Sequence, residues 1–394
     1  MGKEFVISVY LFLIKIIFNI NKIFPIQKKV SFVISFEENA TFLYKEMQRQ
    51  RVPFKVVFLC SNVAVYRAIK NKFPNVSVYT FTLKSIKDWF TSIFHLATSK
   101  ILIVDNYFPF LAPITFKNEV ECIQIWHAAG ALKTFGLQDK AISKRTTKAH
   151  KRFQKVYGQF HKVVVGSEKM ASIFMESFGL SAKRMLPTGI PRTDFFFDNE
   201  QQKQIKAKLY EQYPLFKEKE IILYAPTFRH GQLDNQEINL DIDQLYKKLK
   251  DRFVFIIKLH PAVKVNIDFE KKYPGFIYDF SSYKNVNNIL VITDYLISDY
   301  SSIPFEFAIM NKPMIFYPYD LEEYKREQGV IENYEEIIPG SIVHNTEEIV
   351  ELVSHSRVDQ SKIRDFSEEW NEFSKGASSK QLVQYILNKI DRLK

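Results

Sequence analysis

KVSFVISF at residues 29–36, NATFLYKEMQRQ at 39–50, FKVVFLC at 54–60 and VAVYRAIKNKF at 63–73 decide the fold class of this chain. The first and third segments are short β-rich apolar runs. The second and fourth carry apolar residues at helical spacing with charges between them. A strand, an amphipathic helix and a strand again is the repeating unit of a parallel sheet with crossover helices. NVSVYTF (75–81), KILIVDN (100–106), ECIQIW (121–126) and KVVVGS (162–167) continue the series. A second series follows with EIILYAPT (220–227), FVFIIKLH (253–260), VITDYLISDYSS (291–302) and KPMIFYP (312–318). Between them FFFDNEQQKQ (195–204) shifts from apolar to polar. The reading is an α/β protein of two similar halves, 26–197 and 198–372. An apolar helix at 1–25 precedes them, and a final helix at 373–394 packs back on the first half.

Composition agrees with two ordinary cores: 394 residues, 46% of them apolar, with a net charge of +11. A basic excess points to phosphorylated substrates, an anionic membrane or nucleic acid. The lysines are spread along the whole chain and no nucleic-acid module is visible, so no nucleic acid is expected as a partner. Cys60 and Cys122 sit in apolar runs without a Cys-x-x-Cys neighbour, and read as reduced core thiols of a cytoplasmic protein. Residues 5–20 (FVISVYLFLIKIIFNI) are strongly apolar, without a following cleavage site. At about 100° per residue, Glu4, Ser8, Lys15, Asn19 and Lys22 fall on one stripe of that helix. The stripe suggests a helix lying in a membrane interface with its lysines toward lipid phosphates; the alternative is a helix packed on the protein body. Lys15 interrupts the apolar run, leaving it shorter than the roughly 20 residues a bilayer span requires.

Ligands of open α/β sheets bind beyond the carboxyl ends of the strands. At the end of IQIWHAAG, His127 follows a strand and precedes the small residues Ala128, Ala129 and Gly130. It is a candidate general base, since an unperturbed imidazole titrates near neutrality; a structural histidine is the competing reading. In FVFIIKLHP, Lys258 and His260 alternate at a strand end that Pro261 halts, so both can reach a phosphate. In YLISDYSSIPFEF, Ser301 and Ser302 open a helix with Pro304 in its first turn. Such a start is either a cap or an anion site, and Glu306 can hold a ribose or glycerol hydroxyl. Arg192 in GIPRTD and Arg229 in APTFRHG follow breaks after strands, where guanidinium groups suit phosphate. Neither a phosphate-binding Gly-rich loop nor a dinucleotide fingerprint is present. Asp241 and Asp243 look like charges at a helix start. A transferase without metal or cofactor is expected, with cations neutralising a diphosphate leaving group.

WHAAGALKTFGL, GIPRTD, YAPTFR, KLHP, SDYSSIPFEF and FYPYDLEEYKREQG together resemble the CDP-glycerol glycerophosphotransferase family of teichoic acid synthesis. The resemblance implies a GT-B-like fold, with two Rossmann-type domains and the active site in the cleft between them. It makes His127 the general base and His260 a diphosphate-stabilising group. Trp126, Arg192, Pro226, Thr227, Lys258, Ser301, Ser302 and Glu306 would line the CDP-glycerol site, Glu306 standing where the polymerases carry Asp. VDNYFPF and AAGALKTFGLQD are more similar to the primase branch than to the polymerases, as is the lack of a long N-terminal extension. Asp105 and Asn106 become candidates for the acceptor sugar, with a strand-end turn cap the equal alternative for Asp105. The expected reaction moves one glycerol phosphate from CDP-glycerol to an undecaprenyl-diphosphate-linked N-acetylmannosaminyl-N-acetylglucosamine, releasing CMP. It would run as a peripheral activity at the cytoplasmic face of the membrane, with an anionic membrane surface as partner; a homo-oligomer is compatible with the sequence. The alternatives are a polymerase or second-unit transferase, a GT-B glycosyltransferase using a nucleotide sugar, and a non-enzymatic membrane scaffold.

Overall fold

The computed structural model describes residues 2–143, 145–229, 238–260, 263, 268–355 and 360–391. Pro261, expected to halt a strand, lies outside these described residues. The chain forms two compact units.

The first unit comprises Met1–Ala128, Phe135–Asp194 and Glu372–Lys394. Its strands are β1 (Gln27–Ile34), β2 (Lys55–Cys60), β3 (Ser77–Thr80), β4 (Ser99–Val104), β5 (Glu121–Gln124), β6 (Lys162–Val164) and β7 (Met185–Leu186). They form one sheet in the order β3-β2-β1-β4-β5-β6-β7. Every adjacent pair is parallel. The order reverses direction between β1 and β4, whose register sets Phe32 beside Ile103 and Val33 beside Val104. These central strands are covered on both faces, which is why they read as continuous apolar runs. Helices α1 (Gly2–Asn21), α2 (Glu38–Arg49), α3 (Val63–Lys72) and α4 (Ile86–Thr98) precede or link the first four strands. Asn62 caps α3 through the Val65 amide at 2.9 Å, and Ser85 caps α4 through the Asp88 amide at 3.3 Å. Cys60 and Cys122 are buried and unoxidised, with both thiols pushed up in pKa by burial.

Helix α1 has one face on the protein and one outward. Ile14 and Phe18 are buried, Tyr10 packs on Trp89 of α4 with ring centroids 6.1 Å apart, and Phe18 meets Phe116 edge-on. The predicted polar stripe is partly turned inward, because its charges find protein partners. Glu4 pairs with Arg152 at 3.0 Å, and Lys22 Nζ donates to the Thr115 carbonyl at 2.8 Å. Ser8, Lys15 and Asn19 of the stripe stay exposed, and so do large apolar side chains: Phe5 is 71% exposed, Phe12 60% and Ile20 58%. The segment Glu4–Asn21 has a mean hydropathy of 1.7, enough by length and composition to cross a membrane.

The second unit comprises Ala129–Thr134 and Phe195–Asn371. Its strands are β8 (Glu220–Tyr224), β9 (Phe253–Ile257), β10 (Ile277–Asp279), β11 (Tyr295–Ser298), β12 (Met314–Phe316) and β13 (Ser341–Ile342). Their order, β10-β9-β8-β11-β12-β13, repeats the first sheet's logic, with the reversal between β8 and β11. All pairs are again parallel. Segment 129–134 is stitched into this unit by a Lys133–Val330 bridge and by the Ile331 amide on the Leu132 carbonyl at 3.1 Å. Gly130 lies against the Phe305 ring so closely that a Cβ would sit 2.4 Å from it. Asp241 caps the helix Ile242–Leu249, with Asp243 in its first turn, as the sequence suggested.

Candidate functional site

In a doubly wound sheet the crevice for ligands opens where the strand order reverses. In the first unit that point lies between the ends of β1 and β4, and His127 is held there. The chain leaves β5 at Gln124, and Trp126 takes a left-handed backbone with φ 49°, uncommon for a bulky residue. His127 Nδ1 lies 3.0 Å from the Asp105 carbonyl oxygen. That oxygen can only accept, so Nδ1 carries a proton, and in the neutral ring the lone pair is on Nε2. Phe36 and Trp126 both stack on the imidazole, with ring centroids at 4.7 and 4.4 Å. The ring is therefore fixed in plane and tautomer.

Several sequence-predicted neighbours do different work from that expected. Asp105 is 1% exposed, and its carboxylate accepts the Ser35 amide at 2.9 Å and the Phe36 amide at 2.8 Å. It is the strand-end cap of the two readings, because a buried carboxylate requires such donors, and it supports His127 through its carbonyl. Burial raises its pKa to about 7, against the pull of those amides. Asn106 accepts the Tyr107 amide at 2.7 Å on its side-chain oxygen. Its carbonyl receives the Gln124 amide group at 3.1 Å. The Trp126 indole is 9% exposed and packed against Phe174 and Phe178, so it backs His127 more than it lines a cavity. Arg192 Nη1 donates to the His127 carbonyl at 2.8 Å.

Three residues of this site escaped the sequence reading. Phe36 stacks on the imidazole. Gln124, fully buried, accepts the Trp126 amide at 2.8 Å. Asn39 donates to the Trp126 carbonyl at 2.9 Å and accepts the Arg192 amide at 3.0 Å. The signal for Gln124 was a polar residue inside a strand expected to be buried. Asn39 looked like any residue of a helix start.

In the second unit the reversal lies between the ends of β8 and β11. Thr227, after β8, donates its amide to Asp299, after β11, at 2.8 Å. The Thr227 hydroxyl oxygen is buried with no hydrogen-bond partner among the described residues, and Pro226 beside it is half-buried. Arg229 departs from its expected role as an open phosphate contact. It is 7% exposed and faces Asp320 at 2.6 Å and Asp299 at 2.9 Å, and it donates to the Thr227 carbonyl. Tyr300, Tyr319 and Tyr324 surround its guanidinium at 5.1, 5.2 and 4.9 Å. Burial opposes its charge, yet the two carboxylates hold its pKa above the usual arginine value. A buried cation needs such pairing, so Arg229 is framework that anchors Thr227 and Asp299. Lys133 belongs to the same neighbourhood: burial lowers its pKa and the Asp299 charge resists.

Strand β9 ends at Ile257, so Lys258 and His260 lie in the segment beyond it and do not alternate on a strand. Lys258 Nζ donates to the Ser281 carbonyl at 2.8 Å, and burial lowers its pKa. His260 is exposed, with its ring 5.1 Å from that of Phe228. The helix after Ser301 and Ser302 is short, Ile303–Phe307, and tightens into a 3₁₀ turn at Ala308–Met310. Ser302 occupies the cap position without a capping bond, while Ser301 Oγ accepts the Ile303 amide at 3.3 Å. Glu306 is 1% exposed.

The family profile described as CDP-Glycerol:Poly(glycerophosphate) glycerophosphotransferase matches residues 16–388. A teichoic acid glycerol-phosphate primase of Bacillus subtilis (strain 168) is 39% identical over 364 residues, covering 92% of this chain and 93% of that protein. A teichoic acid poly(ribitol-phosphate) polymerase of Bacillus spizizenii (strain ATCC 23059 / NRRL B-14472 / W23) is 33% identical over 353 residues, 89% of this chain and 54% of its own. Among solved structures, the wall teichoic acid polymerase TagF superposes with a TM-score of 0.80 at 21% identity, covering 100% of both chains. That likeness shows the fold: a GT-B-like α/β fold with two parallel sheets, the N-terminal apolar helix being present.

Proposed function

The chain belongs to the CDP-glycerol:poly(glycerophosphate) glycerophosphotransferase family and is a CDP-glycerol glycerophosphotransferase of teichoic acid synthesis; on that premise we propose that it adds a single glycerol phosphate to an undecaprenyl-diphosphate-linked N-acetylmannosaminyl-N-acetylglucosamine. The observation that carries the chemistry is the His127 tautomer. With Nδ1–H on the Asp105 carbonyl, Nε2 is the basic nitrogen that takes the proton of an acceptor hydroxyl. The hydroxyl oxygen forms a bond to the glycerol-bearing phosphorus as the bond to CMP breaks. Arg192, Lys258, His260, Ser301 and Ser302 supply the positive charge and donors that such phosphoryl transfer requires. Pro226 and Thr227, whose hydroxyl is unsatisfied, line the donor site, and Glu306 orients the CDP-glycerol. The primase step is favoured by higher identity to the Bacillus subtilis primase than to the ribitol-phosphate polymerase, 39% against 33%.

Attachment to the cytoplasmic face of the membrane belongs to the same proposal. Its support is the exposed apolar side chains of α1 together with Leu83, just before α4, and Ile86 and Phe90 in its first turns, exposed by 56, 57 and 48%. Lys15, Lys28, Lys84 and Lys87 are exposed around them, which suits an anionic lipid surface.

The test is the mass of the product formed from CDP-glycerol and the defined lipid-linked disaccharide. One added unit is expected, with stoichiometric CMP; a ladder of products would mean a polymerase. His127→Ala and His260→Ala are each expected to lower CMP release by about 10²–10⁴-fold with the fold intact. Full activity in either variant would remove that histidine from the chemistry.

A further inference from the structure

We propose that Asn39 is a positioning residue for the base, a clasp that fixes both peptide groups flanking His127. The peptide before His127 is held by Asn39 itself, whose Nδ2 donates to the Trp126 carbonyl at 2.9 Å and lies 3.4 Å from that of Ile125. The peptide after His127 is held by Arg192, whose Nη1 donates to the His127 carbonyl at 2.8 Å. Asn39 Oδ1 in turn accepts the Arg192 backbone amide at 3.0 Å. One planar amide thus joins three segments far apart in sequence: α2, the end of the β5 segment, and the Pro191–Phe197 turn.

The side chain does nothing for its own helix. It lies in the first turn of α2, whose cap position is Glu37, without a side-chain capping bond. It is nonetheless 4% exposed, and a buried carboxamide is kept only where its donors and acceptor are used. Both ends are used here, and the partners fix the amide's orientation: a carbonyl demands the NH₂, a backbone amide demands the oxygen. The residue it restrains is Trp126, at φ 49°, a conformation that persists only where the surroundings impose it. Through Trp126 the clasp sets the imidazole plane, and through that plane the Nδ1–H bond to Asp105. A displacement of about 1 Å at a reacting group costs about 10²-fold in rate.

This inference rests on His127 being the base, and the experiment separates the two. Full-length Asn39→Ala, Asn39→Asp and Asn39→Ser are compared with His127→Ala. Asn39→Asp keeps the acceptor for Arg192 but turns an oxygen toward the Trp126 carbonyl. In each Asn39 variant kcat is expected to fall about 10²-fold, with KM for CDP-glycerol changing by less than about threefold. The ¹⁵N spectrum of the His127 imidazole, assigned by its loss in His127→Ala, is expected to shift from the Nδ1–H tautomer toward a mixture. Those two readouts would not move together if Asn39 merely held α2 in place. Wild-type kcat in a folded Asn39 variant, or lost activity with an unchanged imidazole spectrum, overturns the proposal. So does failure of all three variants to fold, which would make Asn39 a purely structural residue. Retained activity in His127→Ala refutes the base assignment instead.

Discussion

Replacing Arg229 by Met distinguishes a framework cation from a phosphate ligand. The guanidinium is 7% exposed between Asp299, 1% exposed, and Asp320, 15% exposed, at 2.9 and 2.6 Å. Methionine roughly keeps the volume and removes the charge, leaving two carboxylates turned toward each other. Breaking a buried pair in this way costs about 3–5 kcal/mol. Loss of the stacking against Tyr300, Tyr319 and Tyr324 adds about 1–2 kcal/mol. For a unit of this size each kcal/mol moves Tm by about 2–4 °C, so a drop of roughly 10–20 °C is expected by scanning calorimetry. Neutralising Asp320 should then help: Arg229→Met with Asp320→Asn is expected to melt several degrees above Arg229→Met alone, since paired residues couple. CDP-glycerol affinity, measured by calorimetric titration on protein still folded, should fall far less than stability does. An Arg229→Met variant that melts within about 3 °C of wild type while losing affinity would refute the reasoning.

Three further outcomes follow from the geometry. Gly130→Ala would place a Cβ 2.4 Å from the Phe305 ring, which is 0% exposed and packed by Trp370 at 4.7 Å. A loss of about 1–3 kcal/mol is expected in urea unfolding, and an unchanged midpoint would contradict it. Lys29 is fully buried among Gln27, His95 and Thr98; burial, then Lys55, lowers its pKa from 10.5 to about 8. Between those values the unfolded chain binds more protons, so its contribution to stability rises as pH rises from 8 to 10.5. Unfolding at pH 8 and 10 should show a flatter pH slope in Lys29→Met, and an unaltered slope would rule the residue out. Leu83→Ser with Ile86→Ser and Phe90→Ser should reduce sedimentation with phosphatidylglycerol vesicles by at least about tenfold. Equal binding would exclude α4 from the membrane face.

The fold was legible where the chain had no choice. KVSFVISF and KILIVDN became β1 and β4 because a strand covered on both faces must be apolar throughout. Sheet order was not legible in the same way, since pairing β1 with β4 depends on contacts about 70 residues apart. The helix after Ser302 starts as read, with Pro304 in its first turn, and tightens into a 3₁₀ turn after Phe307 before turning at Asn311, φ 51°. His127 and His260 were singled out because they follow apolar runs, and the structure places them just beyond β5 and β9. The function of Arg229 was misjudged because its partner Asp320 lies 91 residues away. Asn39 was missed for the same reason, its contacts being 87 and 153 residues distant.

The two sheets also solve one problem twice, with different electrostatics. In each, an aspartate at the end of the strand beyond the reversal is 1% exposed: Asp105 after β4 and Asp299 after β11. In each, it accepts an amide from the segment leaving the strand before the reversal: Ser35 and Phe36 after β1, Thr227 after β8. The clip fixes the mouth of the crevice in both sheets. Asp105 has no cation paired with it among the described residues, and burial lifts it to about 7. Asp299 has Arg229 at 2.9 Å. The difference suits the proposed division of labour. Raised by burial, the Asp105 carboxyl favours the imidazolium of His127 less than a fully ionised carboxylate would. At the proposed donor site, a carboxylate neutralised by Arg229 would avoid repelling a diphosphate. A common backbone device is therefore tuned by one arginine, present in the second sheet and, among the described residues, without a counterpart at Asp105.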